Sequence, residues 1–349
     1  MFHHLRRICK GSVLIWMWSA NCLCTASAAP VTIDWVTVGD PNNPANWNGY
    51  GSVADGYRIA KYEVTIQQYT DFLNAADPNG FNPYGIYDSY MGAESWNRGI
   101  SFSNAAPSGQ KYAPIGTTNR PIVFVNWFNA ARFANWMHNG EGSGSTETGA
   151  YTLNGATSGT APARNPDAKI YVPTANQWFK AAYYSPVLNS GSGGYFYYAT
   201  QSNTAPGNVV GNSPNQANYY VGSYPNGTFA VTQTGTYGNE NLLTAVGSFA
   251  NSASYYGTFD QSGNAWEWND GTGAAGVNRG LSGGGYSSND VSQNTMLSNV
   301  PASGDGYMPY RMGFRLAAPV AVPEPSTWAM GFTGLACGCF SIWRRRKRV

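Results

Sequence analysis

The 349-residue chain carries 20 Lys and Arg against 18 Asp and Glu, a formal net charge of +2. Eight of the cations lie in the first ten and last six residues, so the span between them holds 12 basic against 18 acidic residues and a net charge of −6, which excludes the basic face that nucleic-acid binding requires. Gly and Pro are frequent, 42 and 20 residues, but 24 Tyr and 12 Trp exclude a disordered chain, which lacks aromatics.

In chain order, Arg6, Arg7 and Lys10 precede an apolar run from Gly11 to Cys24, and Ala26-Ser27-Ala28 has the small-x-small form of a signal cleavage site. Residues 1–28 are therefore expected to be a secretory signal cut between Ala28 and Ala29. Short β-like runs follow from Val31, and Tyr57 to Val64 alternates as a strand does. Thr65 is placed as the N-cap of a helix reaching about Ala76, with Ile66, Tyr69, Phe72 and Leu73 at helical spacing. A second helix is expected over Asn126 to His138, with Ala130, Phe133, Ala134 and Met137 on one face. Glu141 to Asn165 is rich in Gly, Ser, Thr and Ala and is expected to be a surface excursion. Thr174 and Gln177 form a capping box that opens a third helix burying Trp178, Ala181 and Ala182. From Ser185 to Ser254 no helical period occurs, which predicts long loops and short strands.

Cysteine use restricts the chemistry. Cys9, Cys22 and Cys24 lie in the signal and Cys337 and Cys339 in the tail, so residues 29–320 contain none. That span has no disulfide, no thiolate ligand and no Cys nucleophile. Its single histidine, His138, cannot build a His-rich metal site or, by itself, a Ser/His hydrolase.

At the C-terminus, Pro323-Glu324-Pro325 precedes an uncharged stretch, Thr327 to Trp343, and then Arg344, Arg345, Arg346, Lys347 and Arg348. As a helix the stretch measures about 25 Å, just enough for a bilayer span, and the cations are expected to stay on the cytoplasmic side. The three features in this order resemble the PEP-CTERM sorting signal. That resemblance implies an exosortase-type processing partner, transient anchoring in the membrane, and a destination in the cell envelope, outer surface or extracellular matrix. An ordinary tail anchor is the alternative.

Between the ends, several segments resemble in order the formylglycine-generating enzyme, or sulfatase-modifying factor, family. They include Lys61 to Thr65, Pro121 to Trp127, Val172 to Trp178, Ala245 to Phe249, Gly263-Asn264-Ala265-Trp266-Glu267-Trp268, Arg279 to Tyr286, and Gly313-Phe314-Arg315. The resemblance implies a single loop-rich α+β domain, related to C-type lectins, over residues 29–320, with residues 321–349 as the sorting and anchor segment. It also implies a copper site of two cysteines just after the Gly-Gly-Tyr segment, and here Ser288 stands about where the first would be. A hydroxyl cannot hold Cu(I) as a thiolate does, so copper is not expected; the family's iron-using branch draws its metal from a His cluster in a separate helical domain not seen here, so iron is not expected either. A structural calcium is carried over by the resemblance onto Asp260 and Glu267, the carbonyls of Gly263 and Ala265, and Asn218 at a second site. Ordinary structural roles are the alternative, as they are for Trp266 and Trp268 in a core. Arg315 is expected to pair a buried carboxylate, and His138 to sit against the last carbonyls of its helix. The function expected is a non-catalytic pseudoenzyme domain that binds an extracellular polysaccharide or envelope protein. The alternative is an enzyme of the same superfamily with unidentified, non-cysteine oxidative chemistry.

Overall fold

The computed structural model describes residues 30–288, 300–303 and 309–320. The signal segment with its Ala28–Ala29 junction, the Pro323-Glu324-Pro325 motif and the 327–343 stretch lie outside the described residues. Among the described residues no helix is long and apolar enough to cross a membrane. The chain clusters into two units, Met1–Pro30 and Val31–Val349, and the second carries everything below.

In chain order this unit has strands β1 (Trp35–Val38) and β2 (Tyr57–Ala60), helices α1 (Ile66–Ala76) and α2 (Tyr90–Ala93), and hairpin strands β3 (Ile100–Phe102) and β4 (Tyr112–Pro114). Helices α3 (Trp127–His138) and α4 (Ala175–Tyr183) follow, then the short pair β5 (Tyr184–Ser185) and β6 (Gly194–Tyr195). After a long irregular stretch come β7 (Trp266–Asn269), β8 (Asn278–Ser282), β9 (Val300–Ser303), a 3-10 turn at Pro309–Arg311, β10 (Met312–Phe314) and β11 (Ala317–Pro319).

Two sheets organise these pieces. In the first, β2 lies between β1 and β11, antiparallel to both, so the two ends of the domain close on one strand. The second runs β10-β7-β8-β9, with β10 parallel to β7 and Gly313 opposite Glu267. That parallel pairing sets Arg315, just beyond β10, beside the carboxylate on β7.

The helices begin where their caps dictate. Thr65 accepts from the Gln68 amide while the Gln68 side chain bonds back to Thr65, and Thr174 and Gln177 repeat the arrangement on α4. Each closes two otherwise orphaned donors, worth about 1 kcal/mol of helix stability. Asn126 caps α3 through the Asn129 amide. Residues Trp127 to Met137 of α3 are all buried, so this helix is wrapped on every side. Its Phe133 stacks on Tyr69 at 6.0 Å and meets Phe314 edge-on at 5.4 Å. Truncating such a ring costs about 3–5 kcal/mol.

The 141–165 segment is for the most part the surface excursion expected, with Ala150, Tyr151, Leu153 and Ala161 anchoring it inward. Tyr151 is fully buried against Trp127 at 5.2 Å. The buried Arg132 of α3 reaches Glu147 through two hydrogen bonds of 2.7 and 3.0 Å. A buried guanidinium must be paired, and the loop folds inward to supply the carboxylate. The Ser185 to Ser254 stretch is irregular as expected, with isolated bridges only after β6.

Candidate functional site: a sealed charge cluster and an open aromatic cleft

Most of the residues singled out in the sequence meet in one buried cluster. Arg315, fully buried, binds both oxygens of Glu267 at 2.6 Å. Its remaining N–H groups donate to the carbonyls of Ala60, Lys61 and Phe259. Trp178 donates its indole N–H to Glu267 at 2.8 Å. Asp260, at φ +63°, accepts the Gly247 amide at 2.7 Å. Glu63 accepts from the Asn264 amide and the Ala265 backbone N–H. Burial pushes the Asp260 carboxyl up to about 6, and burial with the charges of Asp260 and Glu267 pushes Glu63 well above the usual carboxylate range. One guanidinium thus serves a cluster of three carboxyl groups, one of them bidentate, the strongest geometry such a pair has.

Gly263 and Asn218 pack at the edge of this cluster. Gly263 sits at φ +114°, and a Cβ there would come within 2.3 Å of the Asn218 carbonyl, so no side chain fits. The Asn218 carbonyl accepts the Asn264 amide, its side-chain nitrogen donates to Leu242 and Asn264, and its Oδ1 has no partner. The calcium expectation meets a different arrangement. Both oxygens of Glu267 already hold a cation, the guanidinium, which repels a second one. In this structure Glu267 is engaged on both oxygens by Arg315 and Asp260 by the Gly247 amide.

Other expectations resolve individually. Trp268 is fully buried and donates to the Val125 carbonyl at 2.8 Å, whereas Trp266 is only partly buried. His138 does not hold its own helix carbonyls. Its Nδ1 accepts the Lys169 amide at 3.0 Å, which requires a neutral ring, and burial with the Lys169 charge lowers its pKa. Ser288 is buried, accepts the Gly285 amide at 2.9 Å and offers its carbonyl to the Tyr220 amide. At this position the side chain closes a turn.

The turn held by Ser288 borders a cavity of about 590 Å³, within the size range of small-ligand pockets. Its walls are Tyr90, Trp96, Phe124, Tyr237, Tyr286 and Tyr310, with Asp88, Glu94, Asn97 and Arg311 as the polar members. Tyr90 and Phe124 stack at 6.2 Å, and Trp96 meets Tyr237 at 4.8 Å. Tyr90, Trp96 and Tyr237 keep 56%, 36% and 36% of their surface exposed, so the rings are accessible. Phe124 adopts φ +64°, a region bulky residues avoid at a cost of about 1–3 kcal/mol. The strain turns its ring onto the cleft wall. Asn97, at the floor, donates its amide nitrogen to the Tyr310 carbonyl and the Tyr286 hydroxyl, and its Oδ1 is left without a partner. Arg311 lies over the Tyr310 ring at 4.7 Å, and its Nε also has no partner. Sequence reasoning missed this cleft. The available signal was the run from Tyr84 to Trp96, in which aromatics alternate irregularly with Asp88 and Glu94.

A family model described as the sulfatase-modifying factor enzyme 1-like domain matches residues 47–320. Among solved structures, that of CarF is similar over 83% of this chain and 99% of its own, at 20% identity and a TM-score of 0.51. Treponema denticola variable protein 1 aligns over 83% of this chain and 98% of its own, at 16% identity and a TM-score of 0.43. PvdO from Pseudomonas aeruginosa aligns over 82% and 92%, at 14% identity and a TM-score of 0.40. No curated protein sequence matches the chain. The likeness to CarF is one of fold.

Proposed function

Because the chain belongs to the sulfatase-modifying factor enzyme 1-like family while the cleft beside its Gly-Gly-Tyr turn is lined by rings, we propose that the domain is a binding module and not an oxidase. The observation that carries this reading is the lining itself. Six aromatic side chains and four polar ones surround the cavity, with no cysteine or histidine among them. Tyr and Trp supply rigid amphipathic contact area at low entropic cost, which suits adhesion to a polymer or a protein surface.

The segments outside the described residues give this reading its setting. The signal over 1–28, the Pro323-Glu324-Pro325 motif and the Arg-rich end support export, exosortase-type processing and residence in the cell envelope or extracellular matrix. The ligand is then a matrix polysaccharide or another envelope protein. We propose further that the Arg315 guanidinium, not calcium, is the cation that holds Asp260, Glu63 and Glu267 together.

Two measurements on the full-length protein separate this from the oxidative alternative. A sulfatase-type cysteine peptide incubated with the protein and copper should show no conversion to formylglycine, and elemental analysis should find no stoichiometric copper or iron. Turnover, or either metal at one per chain, would install the oxidative reading instead. Mass spectrometry of the native exported protein should find Arg344 to Arg348 removed, and an intact Val349 terminus would contradict exosortase-type processing.

A further inference from the structure

A second cavity, of about 390 Å³, opens where α4 begins, at the other end of the β7–β8 pair from the cleft. Asn269 of β7 lies opposite Gly280 of β8 there, while Trp266, at the far end of β7, pairs with Met312 beside Arg311. The volume is within the range of small-ligand pockets. The charged member of its described lining, Arg279, is spent within the fold. It is buried, paired with Asp270 at 3.3 Å, and donates Nη1 and Nη2 to the Ala274 and Pro162 carbonyls. The accessible groups are neutral and belong to exposed or part-exposed residues. Asn176 accepts the Gly51 amide through Oδ1 at 3.0 Å, which fixes its orientation and leaves Nδ2 as a donor. Thr174 accepts the Gln177 amide at 3.2 Å and keeps its hydroxyl hydrogen to donate. Asn278, exposed on β8, offers an amide of both senses, and Thr272 an exposed hydroxyl. Tyr50, stacked on Phe179 at 5.8 Å, adds a ring and a phenol.

We infer that this cavity is a second binding site and takes an uncharged hexose unit of a polysaccharide. The site goes beyond the cleft reading and does not depend on it. Each sugar hydroxyl both donates and accepts, so neighbouring hydroxyls match a lining of fixed donors beside an amide and free hydroxyls. The Tyr50 ring gives the C–H face of the sugar an apolar platform. A uronate or a sulfate finds no unpaired cation, since Asp270 answers the charge of Arg279. An extended peptide finds no sheet edge. The strands that reach the cavity are β7 and β8, and both are interior, with β10 and β9 on their outer sides. An apolar ligand would leave the amides and hydroxyls without partners. With one ring and a few neutral hydrogen bonds the site holds a single sugar weakly, and it adds to the retention of a polymer by holding the chain at a second point.

The test is calorimetric titration of the full-length protein carrying Trp96→Ala and Tyr237→Ala, which removes exposed rings from the cleft. The probes are neutral disaccharides of glucose, galactose and mannose, a disaccharide of glucuronate, and an N-acetylated dipeptide amide. At least one neutral disaccharide should bind saturably. Adding Asn278→Trp, whose ring fills the cavity from an exposed strand position, should weaken that binding at least about tenfold, and Asn176→Ala about fivefold, the loss of one neutral hydrogen bond. Thr272→Trp fills the cavity from the exposed turn and serves where Asn278→Trp does not fold. Binding in the parent that the two cleft substitutions abolish overturns the second site and leaves the binding-module reading standing. Binding that survives both Trp substitutions at unchanged melting temperature overturns it as well. Tighter binding of the glucuronate probe overturns it in favour of an anion site at Arg279, and tighter binding of the dipeptide amide in favour of a peptide ligand. Absence of binding to every probe overturns it, and retention of the parent on envelope polysaccharide then decides the binding-module reading separately.

Discussion

The Arg315 cluster and the aromatic cleft lie in one domain and are built on opposite terms. In the cluster, both Glu267 oxygens and the Nε, Nη1 and Nη2 groups of Arg315 are hydrogen-bonded, and both side chains are sealed from solvent. In the cleft, Tyr90, Trp96 and Tyr237 keep between 36% and 56% of their surface exposed, and Phe124 holds a strained backbone. A sealed and hydrogen-bonded ion pair fixes a fold, while exposed rings around a cavity offer contact area to a ligand. Under the proposed function the first region serves structure and the second recognition, although the segments that carry the family resemblance fall mainly on the first.

Breaking the cluster should have the largest effect. Glu267→Gln removes the one carboxylate that Arg315 binds through two hydrogen bonds, at a cost of about 3–5 kcal/mol. Urea titration of the variant should show the midpoint displaced by most of the protein's stability or no folded state. Arg315→Met with Glu267→Leu, which removes both charges, should recover part of that loss. A single variant as stable as the parent would remove the cluster from its structural role.

A smaller effect concerns a second buried carboxyl, on the other end of β7. Asp270 is pushed up to about 7, chiefly by burial and against the pull of Arg279. A carboxyl whose folded value is raised binds its proton more tightly in the folded state. Its contribution is complete below the unfolded value near 3.8 and is lost as pH rises to about 7. Melting temperature against pH should therefore fall less steeply from pH 4 to 7.5 in Asp270→Asn than in the parent. Parallel profiles would contradict the assignment. The smallest effect belongs to metal removal. With Arg315 as the cluster's cation, a chelator should leave the melting temperature unchanged to within about a degree, and a loss that calcium restores would return Asp260 and Glu267 to the role of metal ligands.

The legibility of the sequence divides along the same line. The Thr65–Gln68 and Thr174–Gln177 boxes were readable because capping is local, needing only residues three apart, and both form as expected. The carboxylate partner of Arg315 was expected, and Glu267 was singled out, but their pairing depends on β10 lying parallel to β7, 48 residues apart. No local pattern states that register. The anchors of the otherwise exposed 141–165 loop were hidden for a related reason: Gly and Ser dominate the composition, while Glu147 and Tyr151 tie it to α3. The cleft was least visible. Its rings come from five separated segments between Asp88 and Arg311, at no helical or strand period.

The central claim is that recognition resides in the cleft and is separable from the fold. Retention of the full-length protein on immobilised envelope polysaccharide, measured beside the melting temperature for the parent and for Trp96→Ala with Tyr237→Ala, tests it most directly. The account predicts that the double variant loses retention by about tenfold or more, since exposed aromatic anchors carry such interfaces, while its melting temperature stays within a few degrees of the parent's. Retention unchanged at equal stability would contradict it.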